Sequence, residues 1–432
     1  MRGRTAGWGR LALLCLAAGF PATGAVGEEV KLPQDWGLDF SAEVRLRGEA
    51  RDDNDLNTAL DDDRREGLQR VRLGLGVEKK GEARAFIQIQ DSRIAGEEGS
   101  TASNEKNLDL HQGYVEVTAF GDSGLALYAG RREWRYGDER LIGAFGWDNV
   151  GRAFDGGTLR WARKQFWLDG FYAQVDQEPN SVDASKGTRG DSLAGAYAHG
   201  SPRQGDEWEA YTLYFRDSEK LVGETGAAGN TRIDMVGGRA RSRVRRFDYL
   251  VEGGVQRGRF NGDDHRAWAA AAQAGLTLGA GKHWRAFAGY DYATGDRDSA
   301  DGVHQEFFNF FPTNHPHYGY MDLFGWRNLR SPYLGAALSS GRHWAQAKLH
   351  DFSLQSSRGR WSSAGGVELG FDASGSSGTN VGREADLTYR FKWTDHVSVE
   401  ADLSRFDPRE FAENTRGDDP STFAYLMLTF GL

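Results

Sequence analysis

From Phe40 to Ala50 the chain reads Phe-Ser-Ala-Glu-Val-Arg-Leu-Arg-Gly-Glu-Ala, apolar or small residues alternating with polar ones. Side chains of an extended strand alternate between its faces, so Phe40, Ala42, Val44 and Leu46 share one side while Glu43, Arg45, Arg47 and Glu49 share the other. The pattern recurs almost to the last residue. Gln69 to Glu78 sets Val71, Leu73, Leu75 and Val77 against Arg70 and Arg72. Val236 to Arg245 places Arg239, Arg241, Arg243 and Arg245 opposite Val236, Gly238, Ala240 and Val244. Near the end, Ala385, Leu387, Tyr389 and Phe391 oppose Glu384, Asp386 and Arg390, and Ala424, Leu426, Leu428, Phe430 and Leu432 form one more apolar face. A wall between lipid and a narrow aqueous lumen requires this division.

The segments between strands have two lengths. Tight turns are expected at Lys79 to Glu82, Phe120 to Gly124, Arg163-Lys164, Ser201 to Gly205, Val244 to Phe247, Gly279 to Lys282, Ser339 to Arg342 and Trp393 to Asp395. Long polar loops are expected near 52–65, 92–107, 136–153, 176–190, 218–231, 260–265, 295–330, 355–379 and 408–420. These loops pair the strands into nine hairpins, giving an all-β, transmembrane, antiparallel barrel of 18 strands with short periplasmic turns and long extracellular loops. Gly365 to Phe371 also reads as extended, but a nineteenth strand would break the even number expected of a single-chain bacterial barrel, so it is assigned to an extracellular hairpin. Trp36, Trp161, Trp208, Trp268, Trp284, Trp344 and Trp393 stand near strand ends, where interfacial girdles form.

Composition agrees with a single barrel. Residues 26–432 show no linker or low-complexity break, and the 432-residue chain has 58 Gly, nine Pro and a negative mean hydropathy. No segment after residue 25 approaches the roughly 20 apolar residues of a membrane helix. Met1 to Ala25 carries Arg2, Arg4 and Arg10, then an apolar run and small residues, and is expected to be a secretory signal peptide. Cys15, the one cysteine, falls inside it. A Gram-negative outer membrane is the implied destination, reached with the help of the barrel-insertion machinery. The net charge of −9 argues against nucleic acid.

The chemistry resides in arginine. Of the 53 basic side chains, 43 are Arg and ten Lys, and Arg offers a permanently charged planar fork that matches carboxylates. A lumen ringed with it would favour an anion, while Glu43, Glu49, Glu384 and Asp386 would keep that anion from binding too tightly to leave. The alternative role for such charges is an Arg-to-acid ladder that braces the wall. Catalysis has little support: the ten His lack metal spacing, and neither G-x-S-x-G nor H-E-x-x-H occurs. No cofactor is expected. The acidic stretches Asp52 to Asp55 and Asp61 to Asp63 could hold a divalent cation, though a solvated loop is the commoner role.

Three stretches go beyond pattern. Tyr128 to Gly143 with Trp147 to Gly156, Phe311 to Asp322 with Trp326 to Asn328, and Val381 to Leu387 continuing through Glu400 to Pro408 resemble the alginate export family of outer-membrane porins. The resemblance implies a monomeric 18-stranded barrel with an Arg-lined constriction through which an anionic uronate polymer leaves the periplasm. Carried over by motif, Arg131, Arg152 and Asp155 would sit where a loop folds toward the lumen, faced by Arg72. Arg383 matches too, but its parity is that of the apolar face. The loop containing Phe311, Pro312, Asn314, His315, Tyr318, Tyr320 and Asp322 would fold over or into the mouth as a lid, or pack so as to stiffen the rim. The expected function is passive, anion-selective passage of a polysaccharide such as alginate. Rival readings are a porin for small anionic solutes or oligosaccharides, a structural or adhesive barrel without conductance, and, last, a surface enzyme.

Overall fold

In a computed structural model, residues 33–59, 62–97, 107–175, 191–279 and 283–432 are described. The expected signal peptide and the loop at 176–190 lie outside them. Eighteen antiparallel strands close into a barrel: the first, Trp36–Asp52, pairs on one edge with the second, Arg64–Lys79, and on the other with the last, Ser421–Gly431. Closure removes both sheet edges, the condition for strands to cross a bilayer. No described helix is long and apolar enough to span a membrane.

Alternation assigns the faces. Leu73, Leu403 and Leu426 are 51%, 56% and 61% exposed on the outside, whereas Arg70, on the opposite parity to Leu73 in the same strand, is 3% exposed on the inside. Trp161, Trp208, Trp268 and Trp284 all face outward and are exposed, as a girdle requires. Trp344 differs: it shares the inward parity of Gln346 and Lys348, and the Arg390 guanidinium stands 4.6 Å from its ring. Inside, large rings lie across glycines of the neighbouring strand. The Phe287 ring covers Gly335 and the Phe406 ring covers Gly382, where any Cβ would collide with the aromatic carbon.

Two expected loops are largely strand. The ninth and tenth strands, Asp206–Val222 and Ala228–Val244, extend well above the apolar band and leave only residues 223–227 between them. The eleventh and twelfth, Phe247–Phe260 and Asp263–Leu278, are joined by Asn261 and Gly262 alone, both at positive φ. Their upper residues are polar on both faces, so composition reads as loop where backbone pairing continues. The segment at 361–370 is indeed a small hairpin, Trp361–Ser362 against Glu368–Gly370, separate from the barrel wall.

Candidate transport lumen

Two loops turn inward rather than outward. One joins the fifth and sixth strands, Leu125–Arg132 and Phe154–Arg163; the other connects the thirteenth, His283–Ala293, to the fourteenth, Leu329–Ser340. They meet in mid-lumen through backbone bonds: the Phe311 amide donates to Leu141 O at 2.9 Å, the Gly143 amide to Phe311 O at 2.9 Å and the Thr313 amide to Glu139 O at 2.8 Å. The Arg152 guanidinium adds bonds to the carbonyls of Phe311 at 2.6 Å and Pro312 at 3.0 Å.

The first of these loops is held by arginines of the first two strands. Arg45 donates to Gly146 O and Asp148 O, each at 2.7 Å, Arg47 to Trp147 O at 2.6 Å, and Arg72 to Val150 O at 2.9 Å. Arg70, paired with Glu43 at 2.7 Å, also reaches Gly146 O and Asp148 O. Four like charges are tolerated there because converging carbonyl dipoles and the carboxylates of Glu43, Glu49 and Glu133 face them. All four are at most 6% exposed. They point to the lumen side, as their parity dictates, but are sealed beneath the loop. Burial raises the Glu133 carboxyl, yet hydrogen bonds from His111 and Arg135 and the charges of Arg135 and Arg72 outweigh it and hold the group at about 2.

The second loop is fastened to the opposite wall. Glu384 accepts from the Met321 amide at 2.9 Å, and Lys348 donates to His317 O at 3.0 Å. Arg140, from the first loop, donates to the Tyr318 hydroxyl at 2.7 Å and lies 3.5 Å from Asp291 and 3.7 Å from Glu252. The segment expected as a lid is therefore a packed wedge: Phe311, Pro312, Asn314, His315, Tyr318 and Tyr320 are buried, and Asp322 bonds His315 at 3.0 Å. Asn314 donates to Ala364 O at 2.7 Å, tying the wedge to the small hairpin's turn.

The remaining expected residues are dispersed. Arg239 is buried against Asp138 at 2.6 Å, Glu207 at 3.4 Å and Glu209 at 3.3 Å, so it also anchors the first loop. Arg241 pairs with Glu207 and remains half exposed in the lower lumen. Arg243 is at the periplasmic edge. Arg245 leaves the face assigned to it, because the strand ends at Val244 and Arg245 adopts φ 58° in the turn. Asp386 is buried beside Glu384 and accepts from Ser404 Oγ at 2.7 Å. Arg131 and Asp155 form an outward cross-strand pair at 2.6 Å. Arg383 is also outward, matched by Asp351 at 2.8 Å. In the acidic stretch, Asp62 accepts from the amides of Asn54 and Asp55, while Asp61 lies outside the described residues. Among the described residues, no group of His, Cys, Asp and Glu is arranged to hold a metal ion.

Below the loops the inward cations are of another kind. Arg84, Arg132, Arg160, Arg285 and Arg390 each stand over an aromatic ring, with separations of 5.1 Å to Phe86, 4.2 Å to Tyr128, 4.4 Å to Trp167, 4.8 Å to Phe287 and 4.6 Å to Trp344, and the loop anchor Lys348 stands 4.7 Å from Tyr333. Acids accompany most of them: Asp39 with Arg84, Asp169 with Arg160, Asp248 with Arg285 and Glu400 with Arg390. Arg132 alone of these arginines has no carboxylate at ion-pair distance among the described residues; it rests between Tyr114 and Tyr128. The Arg285 and Arg390 side chains are 28% and 49% exposed, against 4% for Arg47. Sequence reading singled out only Arg390 from this set. The overlooked signal is an Arg two positions before an aromatic on the inward parity, as in Arg84-Ala-Phe86 and Arg285-Ala-Phe287.

Comparisons with known proteins agree with this architecture. The barrel is similar to OccK11 (OpdR) of Pseudomonas aeruginosa at 11% identity and TM-score 0.59, covering 91% of this chain and 96% of that one. It is also similar to OccK3 (OpdO) of the same organism, at 14% identity and TM-score 0.59 over 91% and 95%. For OccAB1 of Acinetobacter baumannii the identity is 10% and the TM-score 0.60, over 91% and 96%. These likenesses concern the fold. A search of curated proteins finds no match. The profile of the family described as alginate export matches residues 37–424, nearly the whole chain, and so the protein belongs to the alginate export family and is a porin of the bacterial outer membrane.

Proposed function

We propose that this porin gives passive, anion-preferring passage to an acidic polysaccharide of the uronate class, moving from periplasm to cell surface. The observation that carries the reading is the set of five arginines on aromatic rings along the inner wall. A uronate residue has a carboxylate for a guanidinium fork and an apolar sugar face for a ring. Repeating that pair around the wall offers a polymer successive, similar contacts. The accompanying acids compete for each guanidinium, so no single site holds the chain long, as conduction requires. Family membership supports the same substrate class.

A second reading, uptake of small anionic solutes, is favoured by the two loops bonded to each other across mid-lumen, which narrow the path. Planar-bilayer conductance separates the two. An exporter should show an anion-biased reversal potential and current block by micromolar polyuronate from the periplasmic side, with no block by monomeric uronate. Block by small acids alone, or cation preference, would replace the proposal.

A further inference from the structure

Outward-facing arginines near the extracellular rim are matched to carboxylates around most of the barrel. Arg93 meets Asp91 at 2.7 Å, Arg131 meets Asp155 at 2.6 Å, Arg383 meets Asp351 at 2.8 Å and Arg405 meets Asp407 at 2.9 Å. On the ninth to twelfth strands the matching is incomplete, with five arginines to two carboxylates. Arg216, Arg232, Arg257, Arg259 and Arg266 share the outward parity and are all exposed, with Asp234 and Asp264 as the carboxylates of that face. Arg232 comes only within 3.8 Å of Asp234 and Arg266 within 3.5 Å of Asp264. Among the described residues, Arg216 and Arg257 have no side-chain partner. Register makes them neighbours: Arg216 opposes Arg232, which opposes Arg259 on its other side, while Arg257 stands between Asp234 and Arg266, and Arg259 also opposes Asp264.

The wall beneath this cluster is concave. Trp268, one outward step below Arg266, stacks on Tyr292 with ring centroids 4.4 Å apart. Below that pair, Gly238, Ala240, Gly253, Ala270 and Ala272 floor an apolar furrow of about 650 Å³. A second hollow of about 560 Å³, lined by Arg257, Arg266 and Asp264, adjoins the first at Trp268, so an apolar and a polar hollow lie on either side of that ring. Trp and Tyr mark the boundary between acyl chains and headgroups, and the arginines therefore stand at headgroup level in the outer leaflet.

We propose that this furrow seats the phosphorylated glycolipid of the outer leaflet, with its phosphates on the Arg216, Arg232, Arg257 and Arg266 guanidinium groups and an acyl chain in the small-residue groove below Trp268. A free phosphate would leave the apolar half unused. A second copy docking by two-fold symmetry would set this basic cluster against itself, which electrostatics disfavours. An acyl chain with an anionic head satisfies both halves. The assignment rests on the outer-membrane location and not on the identity of the transported solute.

The test is native mass spectrometry of the detergent-purified full-length protein titrated with bisphosphorylated lipid A, with dephosphorylated lipid A and inorganic phosphate as controls. Wild type should bind one lipid A. The variant R216Q/R257Q/R266Q should bind it at least about tenfold more weakly, the loss of one or two charge-assisted bonds, and D234N/D264N should bind it more tightly. Heat-shifted gel mobility reports whether each variant is folded. Equal binding of the two lipids, equal binding by wild type and the arginine variant, or a dimer mass abolished by Ala270→Trp would each overturn the proposal. Should the arginine variant fail to fold, an unchanged affinity in D234N/D264N overturns it instead.

Discussion

Arg45 and Arg70 oppose each other across the first two strands and donate to the same two carbonyl oxygens, those of Gly146 and Asp148. Two like charges side by side are stable here because the turn of an inward loop supplies the negative ends of its peptide dipoles. The pair is thus a clamp on a constriction. Replacing both by Gln should release the loop, since each charge-assisted bond contributes about 1.5–3 kcal/mol. Larger and noisier single-channel currents are expected, with little change in ion preference. A quiet channel with altered reversal potential would place these arginines in the ion path instead.

The two inward loops also meet through stacked side chains. The Arg47 guanidinium stands 3.8 Å from the Trp147 ring, and His315 stacks on the other side at 3.9 Å with 7° between planes. Trp147→Ala should remove about 1–3 kcal/mol of coupling between the loops. Hydrogen exchange should then rise at residues 141–150 and 311–322 together while the strands stay protected. Exchange confined to one loop would mean that the stack does not couple them.

Acid should loosen the same region. Burial, reinforced by the charge of Arg140, pulls the His317 imidazole well below its ordinary range, although its Nε2–H donates to Asp138 O at 2.8 Å. With the folded-state value depressed, the unfolded segment binds more protons below about pH 6.5. The contribution to stability is thus complete above that value and is lost as pH falls below it. Fluctuations between conductance levels should become more frequent from pH 7.5 to 5, and His317→Gln should flatten that trend. An unchanged acid response in the variant would assign the effect to another group.

Ion preference should follow the lower lumen. In R132Q/R285Q/R390Q three ring-stacked guanidinium groups are lost while the loop anchors remain. Reversal potential under a tenfold salt gradient should move toward zero, and block by polyuronate should weaken by roughly tenfold or more, about 1.4 kcal/mol or above. The companion variant R45Q/R70Q should leave that block far less affected. If the two variants behave alike, the ring-stacked set has no special role.

The alternation that begins at Phe40 and recurs to Leu432, taken with the expected signal peptide and the two lengths of connection, indicated the barrel, because with period-two side chains a lipid-facing outside forces every second residue to the lumen. Parity alone placed Arg45, Arg70, Arg72, Arg239 and Glu384 on the inner wall. What parity could not tell is which inward side chains meet water and which meet protein. That depended on contacts between residues a hundred or more positions apart, such as Arg45 with Gly146, created when the loops folded inward. The same limit explains Arg245, turned out of its row by a tight turn, and the upper ninth to twelfth strands, where polarity on both faces hid continued pairing. The apolar faces were set by the solvent on either side of the wall, whereas the division of arginines into buried clamps and exposed contacts was set by what the interior had room to pack.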